Sequence, residues 1–327
     1  MAFKIATIGC GGMARQGHGP AHARYAREQP EVELVACCDV RAAAAESFRA
    51  EFGYRRAYSD FEELLAAERP DAVCVYVPVM LTTPVVCRVF ALGYPVLTEK
   101  PPGMTTAEID QLIAAAGSVP HQVAFNRRFT PLIRELRRQL PGHLHHLEYD
   151  FTRVDRRDAD FSTTAIHGLD TVRFLAGADY RHLRIRYQHL PELGPAVANT
   201  MVDGELTSGV TVHLAFCPVA GVVVERATVQ AHDHTWYLQV PVWGAFDSPG
   251  RLQHFERGQL VTELDGGSVG DGREMFEESG FYAENAAFFD DLRAGRRPAC
   301  DLPAARQSVQ VMEALRERRA EFVADEA

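Results

Sequence analysis

The sequence predicts an α/β doubly wound parallel sheet followed by an α+β domain built on a largely antiparallel, open sheet. Three observations carry that expectation. Apolar β-rich runs alternate with capped helical stretches through the first 125 residues. From about residue 126 the pattern changes to successive strand-like runs, several of them separated by turn residues. The length of 327 residues exceeds what one ordinary core holds, so two domains are expected, 1–125 and 126–327.

The elements follow in order. Residues 3–9, 32–39, 71–78, 94–100 and 121–125 are near-continuous apolar runs, the signature of strands buried on both faces of a parallel sheet. A helix over 59–68 opens with Ser59 or Asp60 as its cap. A second, over 82–93, has Thr83 as cap, Pro84 at its first position and Gly93 just past its end. A third, over 105–117, carries a capping box, Thr105 with Glu108.

Gly9-Cys10-Gly11-Gly12-Met13-Ala14 follows the first strand as G-x-G-x-x-A. Glycines there permit a tight turn and let backbone N–H groups approach a pyrophosphate, while Ala14 leaves room for helix packing. Asp39 closes the second strand, where a carboxylate accepts hydrogen bonds from a ribose and repels a 2′-phosphate. It lies farther along than the usual ~20 residues, and the stretch 15–22, read as a turn-rich insert, accounts for the extra length. The turn is that of a Rossmann dinucleotide-binding domain. NAD is the expected cofactor; Arg41 could pair with a phosphate and keeps NADP open. In such sheets ligands sit beyond the carboxyl ends of the strands, where Glu99 and Lys100 fall. Pro101 and Pro102 stop the strand behind them, and a cis bond there is one way to fix the exit.

Gly9–Ala14, Glu99-Lys100-Pro101, "FNRRFTP" at 125–131 and "IHGLDTVRFLAG" at 166–177 resemble the glucose–fructose oxidoreductase / inositol dehydrogenase / MocA family (Gfo/Idh/MocA). The likeness extends to the closing "FFDDLRAGRRP" and so over nearly the whole chain. "FNRRFTPL" and "ERATVQAHD" are also similar to MviM-like oxidoreductases. The resemblance implies an NAD(P)-dependent dehydrogenase or reductase acting on the CH–OH group of a sugar, polyol or related secondary alcohol. It implies a homo-oligomer as well, because the family's open sheet often serves as an interface. The alternative is a catalytically weak NAD(P)-binding regulatory or sensor protein. The expected cofactor site comprises Gly9, Gly11, Gly12, Met13, Asp39, Arg41, Pro78, Glu99, Lys100 and Asn126.

In the second half, residues 143–154, 181–190, 196–206, 209–217, 221–232 and 234–243 read as strands, with helices near 163–176, 276–294 and 303–321. Hydride transfer from an alcohol carbon requires a base for the hydroxyl proton. Lys100 suits that role if burial or neighbouring charge lowers its pKa. The family gives the corresponding lysine this role and places a substrate-site histidine where His167 falls. Lys100, Arg128, Thr163 and His167 form the expected substrate set, with Lys100 and His167 catalytic and Asp170 as scaffold. Two departures from the family stand out. Thr163 occupies a position that is commonly aspartate, and Pro78-Val79-Met80-Leu81-Thr82 replaces P-N-x-x-H. Asp160 is a candidate substitute for the missing aspartate.

The formal charge of −10 argues against nucleic acid. No apolar run suits a membrane span, and the N-terminus lacks signal-peptide features, so a cytoplasmic location is expected. Seven cysteines without metal-type spacing read as reduced core residues. The histidines at 143, 145, 146, 232 and 234 complete no zinc pattern, and no metal is expected. "RERRAEF" near the end reads as a charged helix face.

Overall fold

The computed structural model describes residues 2–158, 160–270 and 272–324. The chain divides into two compact units, Met1–Asn126 with Gly280–Arg306, and Arg127–Ser279 with Gln307–Ala327. Residues 280–306 thus cluster with the first unit, although the sequence placed them in the second domain. The reason is apolar burial: Phe288 and Phe289 join the core formed by Ile5, Leu34, Phe48 and Leu97.

The first unit is a parallel sheet of β1 (Phe3–Ile8), β2 (Val32–Cys38), β3 (Arg56–Tyr58), β4 (Ala72–Val75), β5 (Val96–Glu99) and β6 (His121–Ala124). Its order is β3-β2-β1-β4-β5-β6, so the winding reverses between β1 and β4. The helices are α1 (Gly19–Glu28), α2 (Ala42–Phe52), α3 (Phe61–Glu68), α4 (Val79–Ala91) and α5 (Thr106–Ala116), and Phe281–Arg293 returns to the same unit. Asp60 caps α3 by accepting from the N–H groups of Glu62 and Glu63, and Thr105 caps α5 by accepting from Glu108. Register places Ile8 beside Val75 and Val75 beside Thr98. Gly9, Tyr76 and Glu99 therefore lie in line, one residue past that row.

Three expectations need correction here. The stretch 15–22 is no turn: a π-helical turn over Ala14–His18 runs into α1. The helix expected at 82–93 starts at Val79, with Pro78 in the cap position and Pro84 inside it. Pro84 is tolerated because its missing bond would have reached the carbonyl of Met80, on the exposed first turn. The helix expected at 276–294 is broken at Gly280, which has φ 87°. Short β3 and the Ala-rich α2 were not foreseen.

In the second unit α6 (Pro131–Gln139) and α7 (Ser162–Ala176) accompany a nine-stranded sheet. Its strands are β7 (His146–Thr152), β8 (Tyr180–His189), β9 (Ala198–Leu206), β10 (Thr211–Cys217), β11 (Val224–Ala231), β12 (His234–Gln239), β13 (Arg251–Glu256), β14 (Gln259–Asp265) and β15 (Glu321–Val323). Every pairing is antiparallel except that of β7 with β10. Burial alternates along β7, with Leu147, Tyr149 and Phe151 inward and Glu148 and Asp150 outward, as a sheet covered on one face requires. The terminal "RERRAEF" is not one helix face: the last helix stops at Arg316 and Glu321–Val323 pairs with β8 as an edge strand.

Candidate active site

A crevice of about 480 Å³ opens at the β1/β4 reversal, lined among others by Gly9, Gly11, Asp39, Arg41, Pro78 and Leu81. Gly9 has φ +95°, and a Cβ there would sit 2.4 Å from the Tyr76 carbonyl oxygen, so only glycine lets the two strand ends meet. Gly11 and Gly12 have nothing within 4 Å of where a Cβ would be. The first helical bond after them runs from the Arg15 N–H to the Gly11 carbonyl, which leaves the preceding N–H groups outside the helix ladder. Met13, beside them, is exposed.

Asp39 is fixed at the crevice wall. Its Oδ2 accepts the Cys10 N–H at 3.1 Å and its Oδ1 accepts the Arg41 N–H at 2.9 Å. Burial alone would raise its pKa, but those backbone donors and the Arg41 side chain bring it below the ordinary carboxylate range. The Arg41 side chain is mostly exposed. A bare glycine turn, an ionised carboxylate at the end of β2 and an apolar-walled crevice between them fit a dinucleotide.

Glu99 and Lys100 stand two strands away from Gly9, about 10 Å across the same sheet edge. The Lys100–Pro101 peptide is cis. Glu99 is engaged through both oxygens: Oε2 accepts the Lys100 N–H at 2.9 Å, and Oε1 lies 2.9 Å from His18 Nε2. Burial pushes its pKa up, but His18 and the Lys100 charge outweigh that, and it falls below the usual value. Behind His18 lies a buried polar chain that the sequence reading missed. It comprises Asn285, His22, Tyr76, Tyr54 and Thr7, and the His18 ring stacks on Tyr76 with centroids 3.8 Å apart. Burial pushes His22 down to about 3, so that imidazole is neutral. Asn126, at the end of the unit's first segment, is buried.

In the second unit, His167 is buried on α7, one turn after Thr163. Asp160 does not share their helix face. It lies one residue before the N-cap position, Phe161, and accepts the Ser162 N–H at 2.9 Å and the Ser162 hydroxyl, because the helix starts two residues beyond it. Thr163 Oγ1 donates to the Asp160 carbonyl at 3.4 Å. Arg128 grips Asp170 with two bonds of 2.7 and 2.6 Å, and Ser308 adds a third to that carboxylate. Asp170 is therefore scaffold, as expected, and Arg128 is held by it. Glu225 is buried between Arg127, Arg153 and the Tyr149 hydroxyl; burial opposes its ionisation, yet the two guanidiniums bring its pKa down to about 2. Among the described residues no three His, Cys, Asp or Glu side chains form a metal-sized group.

One local signal for the strand-end amine had gone unused. Lysine occurs only at positions 4 and 100, whereas arginine is abundant. Lys4 bonds the Glu68 carbonyl at 3.1 Å. A chain that otherwise uses arginine carries at position 100 the cation type whose proton affinity responds to its surroundings.

Residues 3–126 match the model for the "Oxidoreductase family, NAD-binding Rossmann fold". D-glucoside 3-dehydrogenase of Escherichia coli (strain K12) is 30% identical over 140 residues, 42% of this chain and 39% of that protein. Inositol 2-dehydrogenase of Ralstonia nicotianae is 30% identical over 203 residues, 57% of this chain and 58% of that protein. The chain thus spans less than two thirds of the length of either relative. A dehydrogenase (MviM) structure from Clostridium difficile superposes with TM-score 0.81 at 17% identity, covering 97% of this chain and all of that one, and shows the shared fold. The matched stretch contains the glycine turn, Asp39 and the Glu99-Lys100 strand end, and this unit is similar to the NAD-binding Rossmann domain of that oxidoreductase family.

Proposed function

We propose that the protein is an NAD(P)-dependent oxidoreductase that moves a hydride between a nicotinamide cofactor and a sugar, polyol or related secondary alcohol or ketone. The observation that carries the reading is the single sheet edge on which Gly9 and the Glu99-Lys100 pair lie in line, beside Asp39 at the end of β2. In the oxidation direction Lys100 takes the hydroxyl proton as the C–H bond breaks and a carbonyl forms; in reduction it returns that proton. A bound nicotinamide supplies the hydride acceptor or donor. Asp39 receives the ribose and favours NAD; Gly11, Gly12 and Met13 face the pyrophosphate, and Pro78 and Asn126 complete the cofactor site. His167, Thr163 and Arg128, the last paired with Asp170, are the substrate residues proposed in the second unit. The similarity to a glucoside dehydrogenase and an inositol dehydrogenase supports catalysis over a sensor role.

We propose further that the protein works in the cytoplasm as a homo-oligomer. All seven cysteines are free, and no helix among the described residues is long and apolar enough to cross a membrane. A thermal-shift screen with NAD, NADH, NADP and NADPH tests cofactor binding. Ligand at a hundred times its dissociation constant adds about 2.7 kcal/mol of stability. Stabilisation by none of the four overturns the proposal. A polyol and sugar panel then tests catalysis.

A further inference from the structure

The polar chain behind Glu99 has a direction. The Phe281 carbonyl can only accept, and it lies 2.7 Å from Asn285 Nδ2, which fixes which end of that amide is nitrogen. Asn285 Oδ1 is then the acceptor, so His22 Nε2, 2.8 Å away, must carry a hydrogen, and His22 Nδ1 takes the Tyr54 hydroxyl proton. The second Asn285 N–H points at His18 Nδ1 at 3.0 Å, nearer than the 3.3 Å between that nitrogen and Asn285 Oδ1, and the shorter contact makes Nδ1 the acceptor. The His18 proton therefore sits on Nε2, aimed at Glu99 Oε1. An amide in the middle conducts no protons, so the chain orients rather than relays. The π-helical turn is what brings His18 to Glu99, and turns of that kind recur at functional sites.

We propose that His18 is a positioning residue that acts on Lys100 through Glu99. Its Nε2–H holds one carboxylate oxygen toward the domain interior, and that bond sets how the Glu99 charge faces the Lys100 amine. The inference rests on the acid–base role of Lys100 proposed above. The neighbouring groups leave the titration window clear. His22 is neutral, Tyr54 and Tyr76 are raised well above their ordinary range by burial, and Cys74 is pushed up to about 12. Glu284 on the returning helix also faces Tyr76. With His18 replaced by phenylalanine the ring can still stack on Tyr76, but Oε1 loses its donor. Loss of one such bond moves a pKa by about one unit, so Glu99 stays ionised at neutral pH and turns toward the amine.

The test needs no substrate. Reductive methylation with [13C]formaldehyde labels only the α-amino group, Lys4 and Lys100, and Lys100→Arg assigns the last resonance. In His18→Phe the Lys100 resonance titrates about one pH unit higher than in the parent. In His18→Gln, whose amide can donate to Oε1, most of the shift is restored. An unchanged or lowered midpoint in folded His18→Phe overturns the inference and leaves the role of Lys100 to its own turnover test. Should that variant not fold, imidazole 15N shifts of the parent decide, with His18→Gln supplying the assignment. Hydrogen on Nε2 alone supports the inference, and hydrogen on Nδ1 overturns it.

Discussion

Replacing Asp39 by serine separates the two cofactors. The Asp39 carboxylate accepts the Cys10 N–H and the Arg41 N–H, and its ionised form is favoured in the folded protein. A hydrogen bond from a ribose hydroxyl to an ionised acceptor contributes about 1.5–3 kcal/mol, so NAD binds roughly 10- to 100-fold more weakly in Asp39→Ser. NADP responds in the opposite sense. A carboxylate about 4 Å from a phosphate charge repels it by about 4 kcal/mol at an effective dielectric of 20, before water and Arg41 reduce the figure. Removing that charge also frees the exposed Arg41 guanidinium from its 3.3 Å contact with Oδ1. Disturbance of the Cys10 turn affects both cofactors and cancels in their ratio. Calorimetric titration of both cofactors at fixed ionic strength should show the NAD-to-NADP affinity ratio falling by at least about 100-fold, the product of the two effects. Equal weakening of both cofactors would refute the assignment of Asp39 to the ribose.

Further outcomes follow from the same geometry. Gly9→Ala drives a methyl into the Tyr76 carbonyl at a φ of +95°, so chemical denaturation should show a loss above about 2 kcal/mol along with lost cofactor binding. A stability within about 0.5 kcal/mol of the parent would contradict the tight turn. Glu225 has a folded pKa of about 2 against an ordinary 4.5, so its stabilisation is complete above 4.5 and disappears as pH falls through about 2. Urea melts of parent and Glu225→Gln should therefore converge by about 3 kcal/mol over that window, and parallel pH profiles would show that the cluster contributes no such linkage.

Apart from the short, polar-edged β3, the sheet strands of the first unit were legible because each is an apolar run that ends at a turn residue, and the glycine turn and Glu99-Lys100 could be placed from strand order alone. The π-helical turn was not. Gly17, Gly19 and Pro20 read as loop punctuation, yet the two glycines admit the rings of Phe281 and Phe52, which a Cβ would approach to 2.7 and 2.6 Å. His18 and His22 carried no local mark either. Their common partner Asn285 lies 267 and 263 residues away, on a helix whose amphipathic pattern shows that it is buried but not against which unit. In the second unit, alternation located β7 to β12, whereas polar β13 and β14 and the short β15 lack the apolar period that identifies a strand. Asp160 illustrates a remaining limit of spacing arguments. Its distance from His167 suggested a shared helix face, and the start of α7 at Ser162 leaves it ahead of the helix, bonded to Ser162 instead.

The most direct measurement is turnover of Lys100→Met beside the parent, with nicotinamide absorbance followed over a polyol and sugar panel and cofactor affinity measured on both proteins. The account predicts hydride transfer by the parent and a drop of about 100-fold or more in the variant, with cofactor affinity retained. Equal turnover in the two proteins would contradict it.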